Sequence, residues 1–231
     1  MLEVKDLTLK YGQSQILNGI NLSAKKGEIT AVMGTNGVGK TSLLKAIAGR
    51  HPFASGAISL DGQVLGKHSA VNAARAGIAY VPQGREVFPM MTVTENLETG
   101  FACLEGRAHG VPDHIYDLFP VLRDMSARRG GDLSGGQQQQ LAIARALITK
   151  PSVLLLDEPT EGIQPNIIKH IGEVIQKLRD QGEIAIVLVE QFFDFAFELG
   201  DRFVTMDRGT VTLDDVSANV GREQLLELVS V

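Results

Sequence analysis

The chain has 231 residues, 44% of them hydrophobic and 21% charged, enough to bury a sizeable core as one large or two closely packed units. Its formal net charge of −5 and pI near 5.6 argue against broad adhesion to nucleic acid, which needs a basic face. The opening residues Met1, Leu2, Glu3 and Val4 lack a basic region followed by an apolar core, so no secretory signal is expected, and the apolar runs fall well short of the roughly 18–20 residues of a membrane span.

In chain order, residues 2–11 alternate around Leu7, Leu9 and Tyr11 and read as a strand, and residues 16–22 read as a second after the turn at Gly12. Residues 29–33 form a short apolar run that leads directly into a glycine-rich loop. A helix with Leu43, Leu44 and Ile47 on one face follows, and Gly49 is placed to end it. Residues 57–60 read as a strand with a turn at Asp61 and Gly62, and residues 78–81 as a strand closed by Pro82. Residues 90 to about 126 carry a mainly helical pattern.

Residues 153–156 and 184–189 are continuous apolar runs, as expected of parallel strands covered on both faces. Between them Ile167, Ile168, Ile171, Val174, Ile175 and Leu178 mark a helix. The order implies an α/β fold with an inserted helical region. The short run Gln137 to Gln140 reads as helix surface. Cys103, the single cysteine, cannot form an internal disulfide and reads as a buried structural thiol in a reducing compartment. His51, His68, His109, His114 and His170 lack metal-ligand spacing, so any metal is expected to arrive with a substrate.

Gly34, Thr35, Asn36, Gly37, Val38, Gly39, Lys40 and Thr41 match G-x-x-x-x-G-K-[ST] between a predicted strand and a predicted helix. Such a loop turns successive backbone amides toward one anion. Lys40 adds positive charge near the terminal phosphates, and Thr41 offers a hydroxyl to Mg²⁺. Asp157 and Glu158 end a buried strand, where open α/β sheets place their ligands. Asp157 suits a hydrated Mg²⁺, and Glu158 suits orienting or deprotonating the attacking water. Leu133, Ser134, Gly135, Gly136 and Gln137 precede a helical pattern, with Ser134 as cap and the glycines exposing amides.

That pentapeptide is the signature of the ABC ATPase family, and the chain resembles this family in motif order over nearly its whole length. The resemblance implies a RecA-like P-loop core (residues 1–88 and 150–231) carrying an antiparallel β subdomain, with a helical subdomain at about 89–149, all within one ATPase domain of 1–231. It implies ATP bound by the loop from Gly34 to Ser42, with Tyr11 stacking on adenine and Gln83 sensing Mg²⁺ and the γ-phosphate. It also implies that ATP sits between two head-to-tail subunits, each signature facing the other's loop, so the partners expected are a second such ATPase, identical or related, and membrane permease subunits with, indirectly, a solute-binding protein. No nucleic-acid partner is expected, and the location implied is the cytoplasmic face of the membrane.

Two positions depart from the family pattern. Gln164 stands where relatives commonly carry an aspartate, and Gln191 where most carry a histidine that touches the γ-phosphate. Glutamine can hydrogen-bond phosphate but cannot become a cation. We take Gln191 as the expected γ-phosphate sensor. Residues 85–91, just after Gln83, are apolar enough either to receive a permease helix or to pack inside the helical subdomain. The segment Glu161 to Asn166 and the glutamine run resemble importers for urea or short-chain amides, with branched-chain amino acid importers as the alternative. An exporter subunit and a non-transport ATPase of DNA repair or translation are the competing classes.

Overall fold

The computed structural model describes residues 1–66, 69–104 and 110–229. His68 and His109 lie outside the described residues. The strands are β1 (Leu2–Tyr11), β2 (Ser14–Ala24), β3 (Ile29–Met33), β4 (Ser55–Leu60), β5 (Gln63–Val64), β6 (Ile78–Val81), β7 (Val153–Asp157), β8 (Ala185–Val189), β9 (Arg202–Asp207) and β10 (Thr210–Val216). They form an antiparallel sheet in the order β2-β1-β4-β5 and a larger sheet in the order β10-β9-β3-β8-β7-β6. The larger sheet is parallel from β9 to β6, with β10 added antiparallel at its edge.

The central strands are apolar along their length because both faces are covered. On β7, Leu154 and Leu156 enter one core cluster and Val153 and Leu155 the other, and Ile186 and Leu188 of β8 alternate with Val187 and Val189 in the same way. One cluster joins the sheet to helix α1 (Lys40–Ile47) and to β1, β2 and β4. The other joins it to α3 (Val93–Glu98), α4 (Asp113–Leu118), α5 (Pro120–Asp124), α6 (Gly135–Ile148) and α7 (Pro165–Asp180). Each fully buried Leu or Ile in these clusters contributes about 1.5–3 kcal/mol relative to exposure. Helix α2 (Ala70–Arg75) precedes β6, while α8 (Phe193–Leu199) and α9 (Arg222–Val229) close a third cluster around Ala31, Met33 and Phe203. Among the described residues, no helix is long and apolar enough to cross a membrane.

Three expectations change. The helical stretch at 90–126 is broken into short pieces: a 3-10 turn at Thr99–Cys103 follows α3, and Pro112 and Pro120 start α4 and α5 where proline is tolerated. Gln139 and Gln140 are buried rather than on the helix surface, because α6 has packed neighbours around most of its circumference, and the Gln139 side-chain nitrogen has no hydrogen-bond partner. Cys103 is half-buried at the end of its turn, not fully enclosed.

Candidate active site

The chain leaves β3 into the glycine-rich loop and enters α1 at Gly39, whose φ of 110° a side chain would resist and where an added Cβ would meet Leu17 at 2.7 Å. No side chain caps α1. The first-turn amides and the positive end of the helix therefore face an anion or water. Lys40 is buried, and its Nζ donates to the carbonyls of Gly34 (2.7 Å) and Thr35 (2.8 Å). Burial lowers its pKa from the ordinary lysine value, while the charges of Glu158, Asp157 and Glu190 pull it back up. An ammonium held this way is a cation poised over a loop of amide donors.

Asp157 ends β7 and is fully buried. Its Oδ1 accepts from the Thr41 hydroxyl at 3.0 Å and its Oδ2 from the Tyr80 hydroxyl at 2.8 Å. Burial raises the Asp157 pKa, and these two bonds oppose the rise. Tyr80, half-buried beside that carboxylate, is pushed well above the ordinary phenol range by desolvation and by the Asp157 charge, and remains a donor.

Glu158 follows with φ of 47°, a left-handed conformation uncommon for a residue bearing a Cβ and of the kind stored at functional sites. Its amide donates to Val189 O at 2.8 Å, so β8 holds the turn. The Gln83 amide donates to Glu158 Oε2 at 2.9 Å, and the Gln191 amide donates to Oε1 at 2.5 Å. The two exposed glutamines thus grip the buried carboxylate from the ends of β6 and β8. Beneath Gln191, Glu190 is buried and accepts from the Thr160 amide and hydroxyl and from the amides of Gln191 and Phe192. Burial raises its pKa against these bonds.

Lys40, Thr41, Gln83, Glu158 and Gln191 share one cavity of about 320 Å³. Asn36, Gly37, Gly39, Lys40, Thr41 and Ser42 form one wall, Gln83, Glu158 and Gln191 another, and Tyr11 and Ile16 the third. Tyr11 is about two-fifths exposed (41%). Its ring meets His51 edge-on at 4.4 Å, and its hydroxyl accepts from Ser42 at 3.4 Å. Gly34 and Thr35 line an adjoining cavity with Glu190 and Gln191.

The signature residues stand apart from this cavity. Leu133 is buried, Ser134 is exposed, and a reciprocal capping box ties the Ser134 hydroxyl to the Gln137 amide and the Gln137 side chain to the Ser134 amide. Gly136 packs on Ile167, leaving no room for a side chain without displacement. Gln164 is exposed at the N-cap position of α7 and lines neither cavity. Of residues 85–91, Val87 packs against the core while Phe88 and Met90 are exposed. Val87 therefore fits the packing reading, and Phe88 and Met90 lie on the surface.

Sequence reasoning missed Tyr80, His51, Ile16 and Arg85. The Arg85 guanidinium donates to Glu161 O at 3.0 Å and lies against Gly135, where an added Cβ would meet it at 2.8 Å. It thereby joins the segment after Gln83 to the start of α6. A larger groove of about 450 Å³, lined by Arg50, Tyr80, Glu86, Phe88 and Arg145 among others, contains neither the phosphate loop nor Glu158. The phosphate loop and Glu158 line the smaller cavity.

A phosphate loop, a buried aspartate and a gripped glutamate at the ends of parallel strands define a P-loop ATPase. The ABC transporter family profile matches residues 17–161, and the chain belongs to that family as a nucleotide-binding ATP hydrolase. It is 40% identical to the high-affinity branched-chain amino acid transport ATP-binding protein BraG of Pseudomonas aeruginosa, over 94% of each chain. It is 39% identical to a probable branched-chain amino acid transport ATP-binding protein, LivF, of Archaeoglobus fulgidus, over 93% of this chain and 91% of that one. The fold is similar to a dimeric ATP-binding cassette in a post-hydrolysis state bound to ADP and Pi, with a TM-score of 0.84 at 26% identity, covering 94% of this chain and 99% of that chain.

Proposed function

We propose that this ATPase energises a membrane importer of branched-chain amino acids, working as one of two paired ATP-binding subunits beneath permease subunits at the cytoplasmic face. The observation that carries the cargo is the 40% identity, along nearly the full length, to a protein named for that transport. It favours the branched-chain alternative over urea or short-chain amides. In this reading residues 89–149 are the helical subdomain, inserted into a core of 1–88 and 150–231, and the exposed Phe88 and Met90 meet a permease.

The residue roles in this reading are those the family resemblance implies, and the geometry of the cavity supports them. Tyr11 stacks on adenine, and the amides of the loop through Ser42 hold the phosphates, with Lys40 exchanging its loop carbonyls for phosphate oxygens. The hydroxyl of Thr41 and the carboxylate of Asp157, 3.0 Å apart, are a hard-oxygen pair that fits Mg²⁺. Bound there with ATP, Mg²⁺ neutralises charge on the phosphates. Glu158 orients the attacking water and accepts its proton. Gln83 and Gln191 each donate to a separate oxygen of Glu158, so they keep the carboxylate aimed. Gln191 can also reach the γ-phosphate as a neutral donor, without the cation a histidine would supply. Ser134, Gly135, Gly136 and Gln137 stand outside the chain's own cavity and serve the partner's ATP.

The cargo is tested by isolating the membrane complex through this subunit and screening its solute-binding protein for ligands. Binding of leucine, isoleucine or valine is expected. Binding of urea or short amides, absence of any binding protein, or recovery with nucleic acid or ribosomes would each contradict the reading.

A further inference from the structure

Tyr80 touches two places at once. Its side chain lines the groove of about 450 Å³, yet its hydroxyl donates to Asp157 Oδ2. The register explains the reach: Tyr80 of β6 stands opposite Leu155 of β7, and Asp157, two residues further along the same strand, points to the same face of the sheet. The ring is held in turn by Arg50, whose guanidinium carbon lies 5.6 Å from the ring centroid, and Arg50 pairs with Glu86 at 2.8 Å.

Asp157 has one donor on each oxygen, Thr41 on Oδ1 and Tyr80 on Oδ2. A carboxylate bonded at one oxygen can still turn about its terminal torsion, which is broad and roughly two-fold. Bonds to both oxygens from separate elements, α1 and β6, fix that rotation. We propose that Tyr80 is a positioning residue for ATP hydrolysis: its hydroxyl locks the Asp157 carboxylate so that Oδ1 stays with Thr41 and the two hold a divalent cation together. This rests on the reading of Thr41 and Asp157 as the cation pair. Outer partners of this kind orient a ligand, and their loss costs about tenfold or more in metal affinity.

Tyr80→Phe keeps the ring, its contact with Arg50 and the groove wall, and removes only the hydroxyl. With the purified full chain, Mn²⁺ as the probe and a non-hydrolysable ATP analogue present, free Mn²⁺ is followed by electron paramagnetic resonance. The variant is expected to melt cooperatively, to bind the analogue without divalent cation within about twofold of the unaltered chain, and to bind Mn²⁺ about tenfold more weakly. Tyr80→Leu, which also removes the ring, should lose Mn²⁺ affinity to a similar extent and lose stability in addition. Unchanged Mn²⁺ affinity in folded Tyr80→Phe overturns the proposal, as does a loss confined to Tyr80→Leu, which would assign the effect to ring packing. If the unaltered chain with the analogue binds no Mn²⁺, the cation reading itself falls and this inference with it.

Discussion

At the scale of single residues, the site depends on how Glu158 is held. Two amides donate to its two oxygens, and neither amide can be replaced by water without loosening the carboxylate. Gln191→Ala removes one of them from the exposed rim and leaves the phosphate loop untouched. A hydrogen bond to a charged group contributes about 1.5–3 kcal/mol, so kcat should fall at least about tenfold while KM for ATP stays within about twofold. Steady-state ATPase kinetics check this, and a rise in KM with unchanged kcat would show that Gln191 acts in nucleotide binding alone. The phosphate loop and the Asp157–Glu158 pair were legible in the sequence because each is contiguous and follows a buried strand. Tyr80 was not, because its partner Asp157 is 77 residues away and the contact exists only once β6 and β7 pair. Arg85 was hidden for the same reason: its carbonyl partner lies 76 residues on, and nothing in its own neighbourhood marks it.

At the scale of elements, α6 is buried along most of its length and exposed at its start. Its interior is buried among α3, α4, α5 and α7, whereas its first turn presents an exposed Ser134. Ser134→Ala removes the cap, costing about 1 kcal/mol and lowering the melting temperature by about 2–4 °C. If the same hydroxyl and amides serve a partner's phosphates, ATPase activity of the assembled complex should fall at least about tenfold. Melting and activity measured on the same preparation separate the two roles, and a loss of activity no larger than the stability loss would reduce Ser134 to a cap. The buried strands were readable because continuous apolar runs have few alternatives. β10 and α2 were not: β10 alternates exposed and half-buried residues at a sheet edge, and α2 buries only Ala73, so neither carries a strong periodic signal. The glutamine run misled because polarity was read as exposure, whereas the packing of α6 on its neighbours encloses Gln139 and Gln140 regardless.

At the scale of the whole molecule, the proposed reading makes the chain half of a site. The cavity gathers the loop, Gln83, Glu158 and Gln191, and the signature lies elsewhere, which fits the proposal that a second chain closes the cavity over ATP. Arg85 and Arg145 bridge the two regions. Arg85 ties the segment after Gln83 to Glu161 and the start of α6, while Arg145 of α6 donates back to the carbonyls of Arg85 and Glu86. The segment next to Gln83 and the signature helix are thereby linked at two points.

The central claim, that this cavity holds ATP against a partner's signature, is tested most directly by a structure of the Glu158→Gln variant in its complex with ATP and Mg²⁺. The triphosphate is expected on the amides between Asn36 and Ser42, adenine on Tyr11, and Ser134 of a facing subunit, or its counterpart, on the γ-phosphate. A nucleotide bound outside this cavity, or one whose γ-phosphate faces open solvent with no second chain opposite, would contradict it.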